Sequence, residues 1–251
     1  MAKEYKTEYY SGQGKVFLYP VSASGVPQLN KMRWVGNVPK LAIGVETDKA
    51  EHKESYSGFR TTDKVITKEI KATFSATLEE FNAENLRVAF RAAKQETAAG
   101  SVADAVVVNE TPVVGDVFVL PHLGVSNLVL TDSKTGTPVT LEEGKHYTFD
   151  AQFSRGEWLN VEGLKTPVKA AYSHAASVTL DAMVEAAQAW GLRFEGLNTA
   201  DDNTPVLIEI SKTDINPAKT LDLITEELGS LELEGTALRT NGQFVRITKL
   251  T

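Results

Sequence analysis

The four histidines are the residues whose side chains could serve metal binding or proton transfer. They are His52, His122, His146 and His174, and no two of them stand at a spacing typical of metal ligands. The sequence HKES at His52 lacks the second histidine of a zincin motif. We therefore expect a surface or structural role for each of them, and the sequence predicts no metal site and no cofactor.

Nucleophile and nucleotide motifs are equally sparse. The chain contains no cysteine, which removes thiolate nucleophiles, thiolate zinc sites and disulfides, and it contains no G-x-S-x-G elbow. Residues 12–14 (GQG) precede an expected strand, so they cannot present a helix N-terminus to a phosphate. Carboxylates that are adjacent in sequence point to opposite faces of a strand and make poor acid–base pairs. The sequence therefore predicts that the protein is not an enzyme.

Composition excludes several further classes of protein. With 251 residues and 42% hydrophobic residues, the chain can bury a sizeable core. A net charge of -7 argues against a basic nucleic-acid binder. No apolar run approaches the roughly 18 residues that span a membrane. The polar and aromatic start of the chain lacks the apolar region of a signal peptide, so we expect synthesis in the cytoplasm.

The clearest local pattern is an alternation of apolar and polar residues within Lys64–Glu79. A period of two is typical of a strand with one buried and one wet face. At about 3.3 Å per residue the strand would be roughly 50 Å long, which a compact monomer would leave half unsupported. The pattern therefore predicts a partner. The apolar set is Ile70, Ala72, Phe74, Ala76 and Leu78, and the polar set is Glu69, Lys71, Thr73, Ser75, Thr77 and Glu79.

Two further strands are predicted before this one. Gly14–Pro20 is a short strand, and Arg33–Val45 is a second long one in which Pro39 indicates an edge, a bulge or a break. The polar residues 46–63 between the two long strands predict a loop. Loops of this length within compact domains are usually functional or disordered.

After Phe81 the apolar residues take a helical spacing. Asn82 is a good N-cap, so a helix is predicted over Asn82–Lys94. Asp181–Trp190 fits either a second short helix or a strand at a sheet edge. Asn241–Gly242 predicts a hairpin turn between the last two strands. The rest reads as short β segments separated by turn signals, which is typical of a β-sandwich. They are 105–108, 116–120, 127–131, 146–149, 157–161, 168–172, 192–197, 206–212, 231–238 and 243–250.

The C-terminal stretch GLRFEGLNTADDNTPVLIEISKTDINPAKTLDLITEELGSLELEGTALR resembles the tail tube proteins of siphophages, the long-tailed bacteriophages. The resemblance lies in the order of its parts: a strand with FEG-x-N, then VLIEI, D-I-N-P, LDLITEE and a closing L-E-L-E-G strand. GKVFLYP, RWVGNVPKLAIGVE and the long alternating strand that leads into a helix fit the same family. The resemblance spans most of the chain.

The resemblance implies a mostly β fold, namely a β-sandwich with one flanking α-helix and long β-hairpins. Six subunits would form a ring, in which the hairpins join into a continuous β-barrel around the channel. Residues 1–251 would form a single tail tube domain with an N-terminal arm (1–13) and the inter-strand loop (46–63). The long middle segment, around residues 100–165, departs from the family pattern and is a candidate insertion.

The resemblance also gives roles to particular residues. Arg33–Val45 and Lys64–Glu79 would line the channel. The core side would hold Ile70, Phe74 and Leu78. The residues expected to face the lumen are Glu69, Lys71, Thr73, Ser75, Thr77 and Glu79, and those expected in the loop that reaches an adjacent ring or subunit are Glu51, His52, Glu54, Tyr56, Phe59 and Arg60.

The partners implied by the family are other copies of the chain, a tape measure protein, and tail terminator or baseplate proteins. Double-stranded DNA would pass through the channel during genome ejection without specific binding, and the protein would reside in the virion tail. Two other interpretations stay open. The chain could be the tube protein of a contractile tail or a secretion system. It could also be a β-sandwich carbohydrate-binding or adhesion module, although Trp34, Trp158 and Trp190 are too dispersed to form an obvious aromatic platform.

Overall fold

A computed structural model describes residues 7–250 of the chain. It is mostly β, its sheets are antiparallel, and none of the sheets among the described residues closes on itself. The chain divides into two compact units. Of the described residues, the first unit is built from 7–93 and 180–250 and the second from 94–179, which include the candidate insertion.

The elements follow one another as a long series of strands interrupted by one 3-10 turn (Leu29–Lys31) and, among residues 7–250, one α-helix. In chain order they are β1 (Gly12–Pro20), β2 (Arg33–Trp34), β3 (Lys40–Lys53), β4 (Thr62–Leu78), α1 (Ala83–Phe90), β5 (Ala93–Thr97), β6 (Gly100–Val108), β7 (Val117–Val119), β8 (Ser126–Thr131), β9 (Thr140–Leu141), β10 (Tyr147–Asp150), β11 (Arg155–Trp158), β12 (Val168–His174), β13 (Ser177–Asp181), β14 (Ala189–Asn198), β15 (Thr204–Ile215), β16 (Leu231–Ala237) and β17 (Arg246–Lys249).

The first unit contains an eight-stranded antiparallel sheet in the order β2-β1-β14-β15-β16-β4-β3, with β17 paired to β15. Its core lies on one face of these strands, where Phe74, Leu78, Leu192, Ile210 and Leu233 are each at most 3% exposed. The long strand predicted over Lys64–Glu79 is present as β4. The strand predicted over Arg33–Val45 is interrupted: β2 ends at Trp34 and β3 begins at Lys40, so Pro39 marks the break that the sequence offered as one alternative. β3 is an edge strand of the sheet and continues to Lys53, beyond the predicted end.

Helix α1 follows β4 and is hydrogen-bonded to the segment that precedes β3. The Asn82 side chain caps the helix by accepting a hydrogen bond from the backbone of Asn85 at 2.9 Å. The fully buried Asn85 side chain donates to the carbonyls of Val35 and Glu80, both at 2.8 Å, and accepts from Arg33 at 2.7 Å. The segment before β3 and the segment after β4 are therefore held by one amide.

The N-cap prediction is confirmed, but the predicted helix is too long at its C-terminus. Arg91 takes a left-handed conformation (φ 46°), and its backbone N–H returns to the carbonyls of Arg87 and Val88, which ends the helix there. Residues from Ala93 onward then form β5. The helical alternative for Asp181–Trp190 is wrong, because β13 ends at Asp181 and β14 begins at Ala189.

The turn at Asn241–Gly242 forms as predicted, with positive φ at both residues. The hairpin around it does not extend into paired strands, however. Thr240 and Gln243 bridge the turn, and β17 then pairs with β15 instead of β16. A turn motif fixes local conformation, but the partner of the following strand depends on the apolar surface that is available to it.

The second unit has its own core, to which a three-stranded sheet (β10-β11-β7) and a four-stranded sheet (β6-β12-β8-β9) contribute. Trp158 is 1% exposed and lies with its ring 4.9 Å from that of Phe118, and Leu130 and Val168 are fully buried. β5 pairs with β13 in a further two-stranded sheet. The short β segments predicted for this region are confirmed in outline as β6, β7, β8, β10, β11 and β12.

Candidate functional site

The long β3–β4 hairpin extends beyond the core of the first unit. We call residues 40–45 and 72–78 its inner half, and residues 46–53 and 62–71 its outer half. In the inner half, β4 pairs with β3 on one side and with β16 on the other. β16 ends at Ala237, opposite Ala72, so the outer half of β4 pairs with β3 alone.

The inner half shows the two-faced pattern that the sequence predicts. Ala72, Phe74, Ala76 and Leu78 are at most 4% exposed. The alternate residues Thr73, Ser75, Thr77 and Glu79 are half-buried and Lys71 is exposed, so they share the face away from the core with Glu232, Glu234 and Thr236 of the neighbouring β16. This polar face is the surface that the resemblance assigns to the lumen, and that assignment stays a prediction.

The outer half is a two-stranded ribbon with both faces open. Every residue in it is exposed except Ala50, which is half-buried. The ribbon includes Glu69, one of the residues assigned to the lumen. At about 3.3 Å per residue, the eight residues from Glu46 to Lys53 extend the hairpin by roughly 26 Å. Isolated two-stranded hairpins are only marginally stable in water, and in this ribbon no third strand among the described residues supports the pair.

Large apolar side chains of the hairpin remain uncovered. Val45 is 67% exposed, Ile70 52%, Val65 53% and Ile66 51%. The expectation that Ile70 belongs to the core is wrong. Ile70 lies two residues before Ala72 and continues the apolar alternation, but β16 ends opposite Ala72 and therefore does not pair with this part of β4. Val65 and Ile66 come after a register shift in which Asp48 pairs with Glu69 and Lys49 with Thr67. Such a bulge breaks the strict alternation, and sequence periodicity gave no signal for it.

The loop at the end of the hairpin is shorter than predicted. Residues 46–53 and 62–63 belong to strands, which leaves residues 54–61, here called the tip loop. Glu51 and His52 therefore lie on β3, and Glu54, Tyr56, Phe59 and Arg60 lie in the tip loop. The polar composition of residues 46–53 indicated a loop because a strand with both faces in water carries no apolar alternation.

A single carboxylate organises the tip loop. Glu54 Oε2 accepts hydrogen bonds from the backbone N–H groups of Tyr56 and Ser57, both at 2.8 Å. Glu54 Oε1 accepts from the Ser57 hydroxyl and from the N–H and hydroxyl of Thr61, the last two at 3.3 Å. The hydrogen bonds from the Ser57 side chain and the loop backbone favour the ionised form and lower the pKa of Glu54 to about 2.

The ordered tip loop presents two aromatic side chains to solvent. Tyr56 is 86% exposed and Phe59 is 84% exposed. Gly58 (φ 87°) and Arg60 (φ 50°) supply the left-handed backbone that folds the loop back on Glu54. Behind the loop, His52 Nδ1 lies 2.6 Å from Asp63 Oδ1 across the two strands. Aromatic side chains held in place at low entropic cost are typical of contact surfaces.

An apolar groove of about 600 Å³ opens beside the inner half of the hairpin, within the first unit. Its walls come from β3, from β1 and β14, and from β15 and β17. Lys40 is the one charged residue among the described residues that line it, and its pairing with Thr77 places its side chain on the other face of the hairpin. The apolar lining residues include Val16, Val38, Leu41, Ile43, Val45, Phe194, Ile208, Val245 and Ile247.

A second uncovered apolar segment lies between β15 and β16. Leu223 is 79% exposed, Ile224 97% and Leu228 86%, and the segment has no helix or strand. We call residues 222–228 (DLITEEL) the aliphatic loop. Sequence reasoning placed it in the resemblance without giving it a role. The sequence alone does not single out these three aliphatic residues, because their exposure is known only from the structure.

The groups that could carry chemistry are dispersed. Within residues 7–250 no group of three or more His, Asp or Glu side chains is arranged to hold a metal ion. The rings of His122 and His174 stack 4.0 Å apart, and His122 Nδ1 lies 2.8 Å from the Tyr172 hydroxyl, a pairing that sequence spacing did not reveal. No helix in the same range is long and apolar enough to cross a membrane.

One family model matches the chain, over residues 9–247, and its description is protein of unknown function UCP028589. No curated protein matches the chain.

Proposed function

We propose that this chain, which belongs to the UCP028589 family, is a structural subunit that assembles with copies of itself into a tube, like the tail tube proteins it resembles. The observation that carries the proposal is the outer half of the hairpin. It is long and paired only internally, and it exposes Val65, Ile66 and Ile70, next to the exposed Val45 at the end of the inner half. Contiguous exposed apolar residues on a long edge strand mark a surface that binds another chain.

Self-association accounts for this surface better than a soluble binding partner does. The free edge of β3 offers unpaired backbone N–H and C=O groups along fourteen residues. Joining such edges between identical subunits, side by side in a closed ring, removes all of them at once. The mostly β fold and the one helix found among residues 7–250 support this proposal.

In such a ring the polar face of β3, β4 and β16 would line the channel. It carries Glu69, Glu232 and Glu234 together with Thr73 and Ser75, and two lysines, Lys71 and Lys40, lie on the same face. Small hydroxyls make few attractive contacts with phosphates and carboxylates repel them, and these carboxylates outnumber the two lysines, so duplex DNA would pass without specific binding. Six subunits per ring, stacking of the rings and residence in a virion tail belong to this proposal on the strength of the resemblance.

The adhesion-module interpretation requires an exposed aromatic platform, which the three tryptophans do not form. Trp158 is 1% exposed and Trp190 is 6% exposed, so neither can form part of an exposed aromatic platform. Trp34 is 52% exposed, with the Lys15 ammonium 5.4 Å from its ring centre. One isolated indole does not make a glycan-binding surface.

The test is electron microscopy and sedimentation of the purified full-length chain over a range of concentrations. We expect hollow tubes or rings from the native sequence, and their loss in a variant carrying Val45→Ser and Ile70→Ser. The matched control is Val117→Ser with Val119→Ser in the second unit, where both side chains are similarly exposed at 56% and 63%. A native chain that stays monomeric at every concentration, or tubes that the hairpin variant forms as readily as the control, would contradict the proposal.

A further inference from the structure

The free edge of β3 could join identical subunits in two ways. If it paired with the β3 edge of a second copy, each copy would use the same edge and the assembly would stop at a dimer. A ring requires a second, different edge on every copy, because each subunit must be joined to a neighbour on either side. Assembly into a ring therefore needs an edge that β3 of a neighbour can bind.

The outer half of β4 has such an edge. β16 pairs with β4 from Leu78 to Ala72 and ends there, so residues 62–71 pair with β3 on one side and with no strand among the described residues on the other. The backbone N–H and C=O groups of an antiparallel strand point alternately to its two sides. This side of β4 therefore offers a row of hydrogen-bond donors and acceptors along residues 62–71.

Strand direction fits a pairing of this edge with β3 of a neighbour. Within the chain, β3 and β16 both run antiparallel to β4. Subunits related by rotation about the axis of a tube keep their hairpins pointing the same way, so β3 of a neighbour runs antiparallel to β4 as well. The neighbour's β3 then takes, beside residues 62–71, the position that β16 holds beside the inner half.

The faces of the strands match in the same arrangement. Leu41, Ile43 and Val45 of β3 lie opposite buried residues of β4 and therefore on the core side of the hairpin. Ile70 of β4, and Val65 beyond the bulge, lie on the same side through their partners in the ladder. Rotation keeps each face on its own side in every copy. The exposed Ile70 and Val65 of one copy therefore share a face with the apolar residues of the neighbour's β3.

Charge favours the pairing of β3 with β4 over the pairing of β3 with itself. Residues 46–53 of β3 contain three acidic residues and two lysines, whereas residues 62–71 of β4 contain two acidic residues and three lysines. Two β3 edges would bring together segments of like net charge, and β3 beside β4 brings together segments of opposite net charge. The charge difference is small, and it acts in the same sense as strand direction and face.

We propose that β3 of one copy pairs antiparallel with the free edge of β4 (residues 62–71) in the next copy, and that this contact repeats around the ring. The contact rests on the proposed self-assembly and supplies the second edge that a ring requires. Every copy gives one edge and receives another, so the contact is head-to-tail. It is confined to the outer half of β4, because β16 already occupies the edge beside residues 72–78.

Cysteine cross-linking tests the contact directly, because the native chain contains no cysteine. One full-length protein carries Val65→Cys and is mixed with a second full-length protein that carries one cysteine on the same face of β3. After assembly and oxidation we expect a disulfide-linked dimer, because residues directly opposite each other in adjacent strands lie within disulfide reach. The position with the highest yield reports the register. The β3 variants, each used in turn, are Val45→Cys, Thr47→Cys, Lys49→Cys and Glu51→Cys.

Three controls make the test specific to this contact. Ala50→Cys lies on the opposite face of β3, so its mixture with Val65→Cys should give a several-fold lower yield. Each β3 variant oxidised alone should give equally little. A chain that carries Val65→Cys together with the best β3 cysteine should form a ladder of covalent oligomers up to the whole ring, whereas pairing of like edges stops at a dimer.

The outcomes separate this contact from the proposed function. Tubes that give no cross-link from any of the four mixtures, or that cross-link as strongly through Ala50→Cys, overturn the contact and leave the proposed tube function standing. Cross-links from a β3 variant alone, with dimers as the largest covalent species, show that β3 pairs with β3 and overturn the contact as well. A protein that never assembles overturns both proposals.

Discussion

The inner and outer halves of the β3–β4 hairpin are made of the same two strands, yet they occupy different environments. Phe74 in the inner half is 3% exposed and Ile70, four residues earlier on the same strand, is 52% exposed. The inner half is stabilised by the core and by β16, while the outer half has only its own cross-strand pairs. The comparison shows that the hairpin is anchored at one end and exposed to solvent at the other.

The largest effect should come from matched truncations in the two halves. Phe74→Ala should lower the free energy of unfolding by about 3–5 kcal/mol, because it leaves a cavity in the core. Ile70→Ala should change it by no more than about 0.5 kcal/mol, because the side chain is already in water. Chemical denaturation of the non-assembled chain measures both. Equal losses would show that the outer half is covered within the isolated chain, which would remove the contrast between the halves.

An intermediate effect is expected at the anchor of the inner half. Asn85→Ala removes the amide that joins α1 to the segments before β3 and after β4, and it leaves the Val35 and Glu80 carbonyls without that donor. We expect a loss of about 1–3 kcal/mol in the free energy of unfolding. Arg33→Lys, which leaves the Asn85 amide in place, is the control. If Asn85→Ala costs no more than Arg33→Lys, the amide is not what holds the anchor.

The smallest effect on overall stability is expected at the far end of the outer half, where Glu54 orders the tip loop. Glu54→Gln keeps the shape but removes the charge that accepts the hydrogen bonds, so the amides of Tyr56, Ser57 and Thr61 should exchange faster with solvent. Global unfolding should hardly change, since the loop touches no core residue. Residue-resolved hydrogen exchange measures this. Unchanged exchange at these amides would mean that the strands alone order the loop.

The same carboxylate predicts a pH dependence with a definite sign. The pKa of Glu54 falls from its usual value near 4.5 to about 2 in the folded loop. The stabilisation of the tip loop by the ionised Glu54 side chain is therefore complete above pH 4.5 and is lost as the pH falls from 4.5 toward 2. NMR shifts of the loop amides should titrate with a midpoint far below that of an ordinary glutamate, and this transition should be absent in Glu54→Gln. A midpoint near the ordinary value would contradict the carboxylate's role.

Local sequence signals predicted most of the secondary structure correctly where one face of a strand is buried. The alternation from Ala72 to Leu78, the N-cap at Asn82, the strand break at Pro39 and the turn at Asn241–Gly242 are all present. The failures have a common origin. Residues 46–53 were predicted as a loop, and Ile70 as core, because a strand that leaves the body loses the burial on which both patterns depend.

Most of the candidate contact surface could not be predicted from sequence. The hydrogen bonds of Glu54 join residues up to seven positions apart, and no sequence motif predicts this loop conformation. The groove combines residues from β1, β3, β14, β15 and β17, which are distant in sequence. The exposure of Leu223, Ile224 and Leu228 is visible only once the positions of the surrounding strands are known.

The mostly β character, the long strand β4 and the capped helix could be predicted from the sequence, because each depends on side-chain period and on hydrogen bonds between near neighbours. Tertiary packing sets where the long strands stop being covered, that β17 pairs with β15, and that an apolar groove stays open beside β3. These depend on which distant segment occupies a given surface. That outcome is set by the competition of all strands for the same core, and no local window of sequence contains it.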